Sequence, residues 1–545
     1  MQDQIPPAGP QGSGISGYFK HSIFSQYKWR VLATVIFGIF MIILDTTVVN
    51  VAFQTIREEF RGGLNDSQWV ISIYVLALGI STPMAGFLAD RFGTKRIYLG
   101  GLGLFALGSL LCGLAPSLPL LITARAIQGV AGGLTMPLGT ALLLQAFPPR
   151  EQGTALGIFG IAALVAPAVG PILGGWLVDQ NLWRAIFFIN PPIGLIGVIL
   201  GIFLLREHTN PEKPAFDIGG VVTEIVGFGS ILYAASIAAD QGWTSPQTLF
   251  WFGLGGVGLL LFGWIELRHA KTPLLDLNLF RNRVFLNASV LGYVSTVALF
   301  GAEFLMPVYL QALRGLSALQ TGLILLPMAL TGGIFVTLSG RLYDRFGPRP
   351  LMVVGFTFLV VNTWQLALIQ GDTPVSWILF LLALRGVALG LTVQTTLVTA
   401  LSVVPWDDLA RGSSLSNATR FVIQSIGVAV LATVLASTLS PEVKTLQSQI
   451  EVREPGMAQP AGICEIAAAP AAVSAVSLHS GGLAYAGAGP LLAARPQGII
   501  EQACEENIAG FERAYKITFY AAILALLLGS LLPGWPGKWV GRGGG

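Results

Sequence analysis

The sequence predicts an all-α integral membrane protein of fourteen transmembrane helices, arranged as two six-helix bundles with two helices inserted between them. Composition points there first: 53% of the 545 residues are hydrophobic and 11% charged, with mean hydropathy +0.70. A soluble domain carries about 25% charged residues. The apolar residues also fall in continuous runs of about 20, enough to cross ~30 Å of hydrocarbon as helix and unlike the alternating pattern of barrel strands. Finally, a charged motif occurs twice, as Gly86-Phe87-Leu88-Ala89-Asp90-Arg91-Phe92-Gly93 and as Gly340-Arg341-Leu342-Tyr343-Asp344-Arg345-Phe346-Gly347. Both copies sit on links between apolar runs too short to form a domain, which indicates a duplicated bundle.

The elements follow in order. Residues 1–28 are polar and lack the apolar stretch and cleavage site of a signal peptide, so they are read as a cytoplasmic tail. Six helices are expected over about 29–54, 67–86, 97–115, 118–146, 152–178 and 185–205, forming a first bundle over 29–206. Two plainer helices, about 217–238 and 247–267, make a linker over 217–267. Six more, about 285–309, 318–339, 351–370, 376–403, 413–438 and 516–536, form a second bundle over 285–536, and 537–545 are a second cytoplasmic tail. The stretch 440–515 is rich in Ala, Gly, Ser and Pro and is expected to be a largely irregular extracytoplasmic loop.

Charge placement sets the topology. With both termini cytoplasmic, that side holds 19 Lys and Arg, while the short outer loops hold four, namely Arg57, Arg61, Arg184 and Arg314. Long loops translocate largely regardless of charge, so the bias among short loops is the informative one. Both Asp-Arg-Phe-Gly turns then fall on the cytoplasmic side.

The repeat extends into the helices. Asp90 and Asp344 are 254 residues apart, Arg125 and Arg385 260, and Asp45 and Glu303 258. Two homologous halves in parallel are a transporter arrangement, with substrate bound near the midplane at their interface.

These residues carry a resemblance. The chain resembles the major facilitator superfamily, specifically its fourteen-helix drug:proton antiporters of the multidrug efflux type. The turn at 86–96 is similar to that superfamily's loop 2–3 signature, and Leu44-Asp45-Thr46-Thr47-Val48-Val49-Asn50-Val51-Ala52 to the helix 1 motif of the fourteen-helix group. Arg125, Gln128 and Gly129 resemble its helix 4 motif, and Gly170-Pro171-x-x-Gly174-Gly175 its antiporter motif in helix 5. Phe53-Gln54 stand where the helix 1 motif ends in Leu-Pro. The resemblance implies a major facilitator fold in a bacterial inner (plasma) membrane, no enzymatic activity and no cofactor. It also implies partners that are protons, a small amphipathic substrate and the lipid bilayer, with room for a periplasmic adaptor protein and none for nucleic acid.

Site expectations follow from depth and charge. Asp45 and Arg125 lie about nine and eight residues from the outer ends of their helices, roughly 12–14 Å in. A buried carboxylate is costly unless paired or protonated. Asp45 is therefore the expected proton carrier and Arg125 the cation that resets it, set against a merely structural ion pair. Glu303 and Arg385 are their mates in the second half; Glu303 is either a second proton site, a counter-charge for cationic cargo, or a snorkelling acid. Glu224, outside the duplicated halves, is read as non-coupling.

Gly86, Asp90, Arg91, Gly93, Gly340, Asp344, Arg345 and Gly347 are read as gating turns. The small residues 153, 157, 160, 170, 174 and 175 are expected along the contact with the other half. Cys464 and Cys504, in the outer loop, are candidates for a disulfide. All four histidines fall in loops or tails, no metal site is expected, and no phosphate-binding Gly-x-x-x-x-Gly-Lys-Ser/Thr sequence exists. The reading is a proton-coupled exporter of amphipathic drugs or toxic compounds. Its rivals are a same-fold exporter of a lipid, siderophore, amino acid or other metabolite, and a non-transporting sensor.

Overall fold

The computed structural model of the chain describes residues 27–60, 64–207, 217–268, 273–443, 462–468 and 497–534. The first bundle holds α1 (Tyr27–Glu59), α2 (Leu64–Ser81), α3 (Met84–Phe92), α4 (Thr94–Leu114), α5 (Leu118–Ala146), α6 (Gln152–Asp179), α7 (Ala185–Phe188) and α8 (Asn190–Leu204). The inserted pair is α9 (Ile218–Gln241) and α10 (Pro246–Arg268). The second bundle holds α11 (Arg283–Val308), α12 (Ala318–Phe346), α13 (Pro348–Leu366), α14 (Val375–Leu401) and α15 (Leu409–Ser437). After the short α16 (Ile463–Ala468), α17 (Gln497–Ser530) completes it. Ten helices among the described residues are long and apolar enough to cross a membrane, or eleven with the bent pair α2–α3; α11, α13 and α17 pack beside them in the second bundle.

Several boundaries differ from the sequence expectation for identifiable reasons. The second span is bent by 55° between α2 and α3. Pro83 removes a backbone donor there, while Ser81 Oγ and Thr82 Oγ1 donate back to the carbonyls of Ala77 (2.8 Å) and Leu78 (2.7 Å), a bond that bends helices. The repeated motif is not a loop. Gly86 through Phe92 and Gly340 through Phe346 are helical, and only Gly93 and Gly347 link to the next helix. At φ +102° and +79° these two glycines occupy the region that side chains avoid, and their N–H groups close the helices on Ala89 O (2.7 Å) and Tyr343 O (2.8 Å).

α1 runs unbroken past Phe53-Gln54. α17 begins near 497, about five turns before the expected 516. Its early residues, including Ile500, Ala503 and Phe511, are buried, so 440–515 is not irregular throughout.

α6 and α12 pack along each other across the two bundles, and α15 packs on α3 and α5. The apolar core is continuous between the bundles at the end that carries the two motifs: Val35, Phe87 and Leu142 belong to one cluster with Phe285, Leu397 and Leu409. At the opposite end it divides. Leu44, Val48 and Leu121 form a cluster in the first bundle, and Leu305, Tyr309 and Leu381 form another in the second. The halves are interlocked at the motif end and have separate cores at the other.

α9 lies against α2 and α15, with α10 outside it. Leu249, Phe250, Leu260 and Trp264 of α10 are among the exposed large apolar side chains. Such a surface fits lipid rather than water.

Candidate functional site

Asp45 and Arg125, brought to one depth by helical rise, meet inside the first bundle. Both are buried, and Arg125 Nη1 donates to Asp45 Oδ2 at 2.5 Å. Gln128, three residues on and so on the same face of α5, donates from Nε2 to Asp45 Oδ1 at 2.8 Å. A third donor, Asn190 Nδ2, reaches the same Oδ1 at 2.8 Å. Asn190 opens α8 just before Pro191 and Pro192, and its amide also donates to Ser109 Oγ (2.9 Å) on α4. Ser109 Oγ in turn donates to Phe187 O (2.9 Å). One carboxylate thus ties together α1, α4, α5 and α8.

Arg125 is anchored independently of Asp45. Its Nε donates to Val70 O (3.0 Å), Nη1 also donates to Gln128 Oε1 (2.7 Å), and its guanidinium lies 4.0 Å from the Tyr74 ring centroid. Protonating Asp45 would remove one partner of Arg125 and leave these. That matters energetically, because stripping a buried ion of all compensation costs about 3–5 kcal/mol.

Arg385 of the second half is buried as well. Arg385 Nη1 donates to Asn362 Oδ1 (3.2 Å) and Nη2 to Ala298 O (3.0 Å). Glu303 is on α11, but its side chain lies outside the described residues. A small cleft in this half is lined by Ser289, Tyr293, Thr396, Ser416 and Arg420 among others, with Tyr293 Oη donating to Thr419 Oγ1 at 2.9 Å.

The paired motifs close the molecule at the end they occupy, each reaching into the other half. Asp344 accepts from Gly153 N and Thr154 N (2.9 Å each) and Thr154 Oγ1 (2.6 Å), capping the first turn of α6. Asp90 pairs with Arg411 at the start of α15. Nε and Oδ2 are 2.5 Å apart without the alignment of a hydrogen bond, while Gly86 N donates to Ser414 Oγ at 2.9 Å. Arg91 and Arg345 stack beside their own Phe92 and Phe346, at 5.6 and 5.1 Å.

The glycines of α6 divide between two neighbours. Gly153, Gly157 and Gly160 abut α12, where a Cβ on Gly157 would lie 2.6 Å from Val336 O, and Gly175 lies against Leu319. Gly170 and Gly174 instead press on Thr47, Val48 and Val51 of α1. The expectation that all six positions line the contact with the other half is corrected for these two: by helical phase Gly153, Gly157, Gly160 and Gly175 share the face on α12, while Gly170 and Gly174 fall on a neighbouring face that meets α1. Pro171 meets Gly322 of α12.

Cys464 and Cys504 are joined as a disulfide, with Cα atoms 5.0 Å apart; the remaining cysteine, Cys112, is free and buried.

Sequence reasoning passed over Asn190, Ser109, Tyr74 and Arg411. Asn190 had a signal, a lone amide beside two prolines inside an apolar run. Arg411 looked like one more basic residue of a cytoplasmic loop.

Apolar spans in two bundles, interlocked at one end and holding a buried ion pair, define a multi-pass membrane transporter of small molecules, not an enzyme. The Major Facilitator Superfamily profile matches residues 35–428, and the chain belongs to that superfamily. The MFS-type transporter YhcA of Bacillus subtilis (strain 168) is 37% identical over 404 residues, 74% of this chain and 76% of YhcA. Multidrug resistance protein Stp of Mycobacterium tuberculosis (strain ATCC 25618 / H37Rv) is 36% identical over 433 residues, 79% of each chain. The solved structure of the proton:xylose symporter XylE superposes with a TM-score of 0.55, over 93% of this chain and 96% of XylE, at 13% identity; that likeness is one of fold.

Proposed function

We propose that the protein is a proton-coupled antiporter that exports amphipathic small molecules across a bacterial plasma membrane, with both termini cytoplasmic. The observation that carries this is the anchoring of Arg125 apart from Asp45. A proton can take Oδ2 from Arg125 without leaving the guanidinium bare, because Val70 O, Gln128 Oε1 and the Tyr74 ring still hold it. Asp45 can therefore cycle between ion-paired and protonated forms inside a dry bundle, as proton coupling requires.

Export is supported by the name of the relative Stp, a multidrug resistance protein. Orientation rests on the excess of 19 Lys and Arg over four among short loops. In that orientation the interlocked motif end faces the cytoplasm, and substrate leaves at the end where the cores divide. Protonation of Asp45 from outside and its deprotonation inside would then drive the exchange.

Everted vesicles with an imposed pH gradient test this. Asp45→Asn is expected to abolish proton-driven accumulation of a fluorescent amphipathic substrate while leaving protein level unchanged. Wild-type accumulation by that variant would remove Asp45 from the mechanism.

A further inference from the structure

The inserted helices hold two carboxyl groups that the Asp45 network does not use. Glu224 on α9 is 0% exposed and Glu266 on α10 4%, and all four of their oxygens lack a hydrogen-bond partner among the described residues. They share one interface. Gly220 lies one turn before Glu224 on the same face of α9, and a Cβ there would fall 2.9 Å from Glu266 Oε1. A third carboxyl, Asp217, caps α9; its Oδ1 accepts from Gly220 N at 2.9 Å and its Oδ2 has no hydrogen-bond partner. Asp217 is half-buried, so acids lead from the end of the helix pair to Glu224, about 10 Å deeper by helical rise.

The surroundings supply little compensation. The Leu274 and Leu275 N–H groups lie near Glu266 without hydrogen-bond geometry. From α15, Arg411 is the cation whose field reaches Glu266, and it is already paired with Asp90. α2 meets α9 higher up, through Gly79 on Leu232 and Ile80 on Gly229. Two ionised carboxylates buried in one interface without donors would cost several kcal/mol apiece, whereas a proton on either one removes one of the two charges. A hard metal ion would need about six oxygen ligands. No group of three or more metal-binding side chains occurs among the described residues.

We propose that Glu224 and Glu266 form a second proton-exchange site, distinct from Asp45, loaded from the motif end of the molecule by way of Asp217. Its state reaches the closure through Arg411. An ionised Glu266 competes with Asp90 for that guanidinium, and a protonated Glu266 leaves it to Asp90 and tightens the lock. The site stands apart from the antiport reading, since proton exchange here does not require Asp45 to carry the transported proton.

Infrared spectroscopy of the full chain in lipid nanodiscs, in H2O and D2O across bulk pH, reads the site without any transport step. Wild type is expected to show a protonated-carboxyl band that disappears as pH rises. Glu224→Gln should remove its main component, Asp45→Asn should leave it, and Asp217→Asn should slow its deuterium exchange several-fold. Should Glu224→Gln fail to fold, the pH response of the wild-type band, assigned with Glu266→Gln, decides.

No such band in wild type, or one indifferent to pH wherever the protein stays folded, would overturn the proposal. So would a band that Glu224→Gln and Glu266→Gln both leave intact. A band that follows sodium or potassium rather than pH would make this a cation site instead, which also overturns it.

Discussion

Asp90→Ala should open the closure that Asp90 and Arg411 hold, and the structure allows the effect to be sized. The two side chains are 8% and 11% exposed, so this is close to a buried pair. Removing one member of such a pair costs about 3–5 kcal/mol. The residual contact with water here argues for the lower end, about 3 kcal/mol, and each ~1.4 kcal/mol is a factor of ten. The pair bridges the two bundles at the closed motif end, so opening that end is expected to separate it. The penalty therefore falls on that conformation and shifts the equilibrium toward its opening about 100-fold.

Two comparisons sharpen the test. In Asp90→Ala/Arg411→Ala no bare guanidinium is left, so much of the shift should return, giving a positive coupling in the double-mutant cycle. Asp344→Ala removes a cap made of two N–H groups and one hydroxyl, with no cation among its hydrogen-bond partners. Loss of a cap costs about 1 kcal/mol, so its shift should be several-fold only. Electron–electron resonance between spin labels on the motif ends of the two halves, in a background with Cys112 replaced, measures all three. Distance distributions for Asp90→Ala that superimpose on wild type, with and without substrate, would refute the reasoning.

Three further outcomes are expected. Reducing the Cys464–Cys504 bond, which closes a separation of 40 residues, should lower thermal stability by up to about 4 kcal/mol of loop entropy; an unchanged melting curve with reductant would count against it. Ser440 N–H donates to Glu506 at 2.7 Å and holds that carboxyl below the ordinary carboxylate range. Its stabilisation is then full above the unfolded value of ~4.3 and is lost as pH falls through the depressed folded value. Amide exchange at Ser440 should accelerate in that acid window in wild type and show no such step in Glu506→Gln. Arg420→Gln, in the second-half cleft, should impair export of compounds bearing carboxylates or carbonyls more than of cationic dyes, as resistance profiling would show. Equal loss across all classes would make Arg420 structural.

How much was legible in the sequence depended on what each feature needed. The spans could be read because hydrophobic thickness fixes a length, and the meeting of Asp45 with Arg125 because rise per residue converts position into depth. Rotation about a helix axis is not fixed by depth. Gly170 and Gly174 lie on the same small-residue helix as Gly153, Gly157 and Gly175, yet at about 3.6 residues per turn they fall on a different face, which meets α1. Interruptions were hidden for a different reason. Hydropathy runs smoothly through Thr82-Pro83 and Ile189-Asn190, so both helix breaks, and with them the inward-turned Asn190, escape a window that averages over a whole span. The early part of α17 was missed because it carries several charged residues and is buried through Ala503 and Phe511 rather than apolar throughout.

The two motifs repeat a backbone but not an electrostatic design, and this asymmetry bears on control of the closure. In the first half a buried acid is held by Arg125 and two neutral amides. In the second, Arg385 rests on Asn362 and a carbonyl, and the neighbouring cleft carries Arg420. At the closure the two motifs differ in the charge of their partners. Asp344 caps a helix with neutral donors, whereas Asp90 takes a cation that also feels Glu266. The Asp90–Arg411 half of the lock is therefore the one open to electrostatic control, because a charge change at Glu266 alters Arg411 and leaves the Asp344 cap untouched. Glu266→Gln should thus bias the closure toward the locked form in wild type and lose that effect in the Arg411→Ala background. An equal bias in both backgrounds would show that the inserted helices act on the lock by packing rather than by charge.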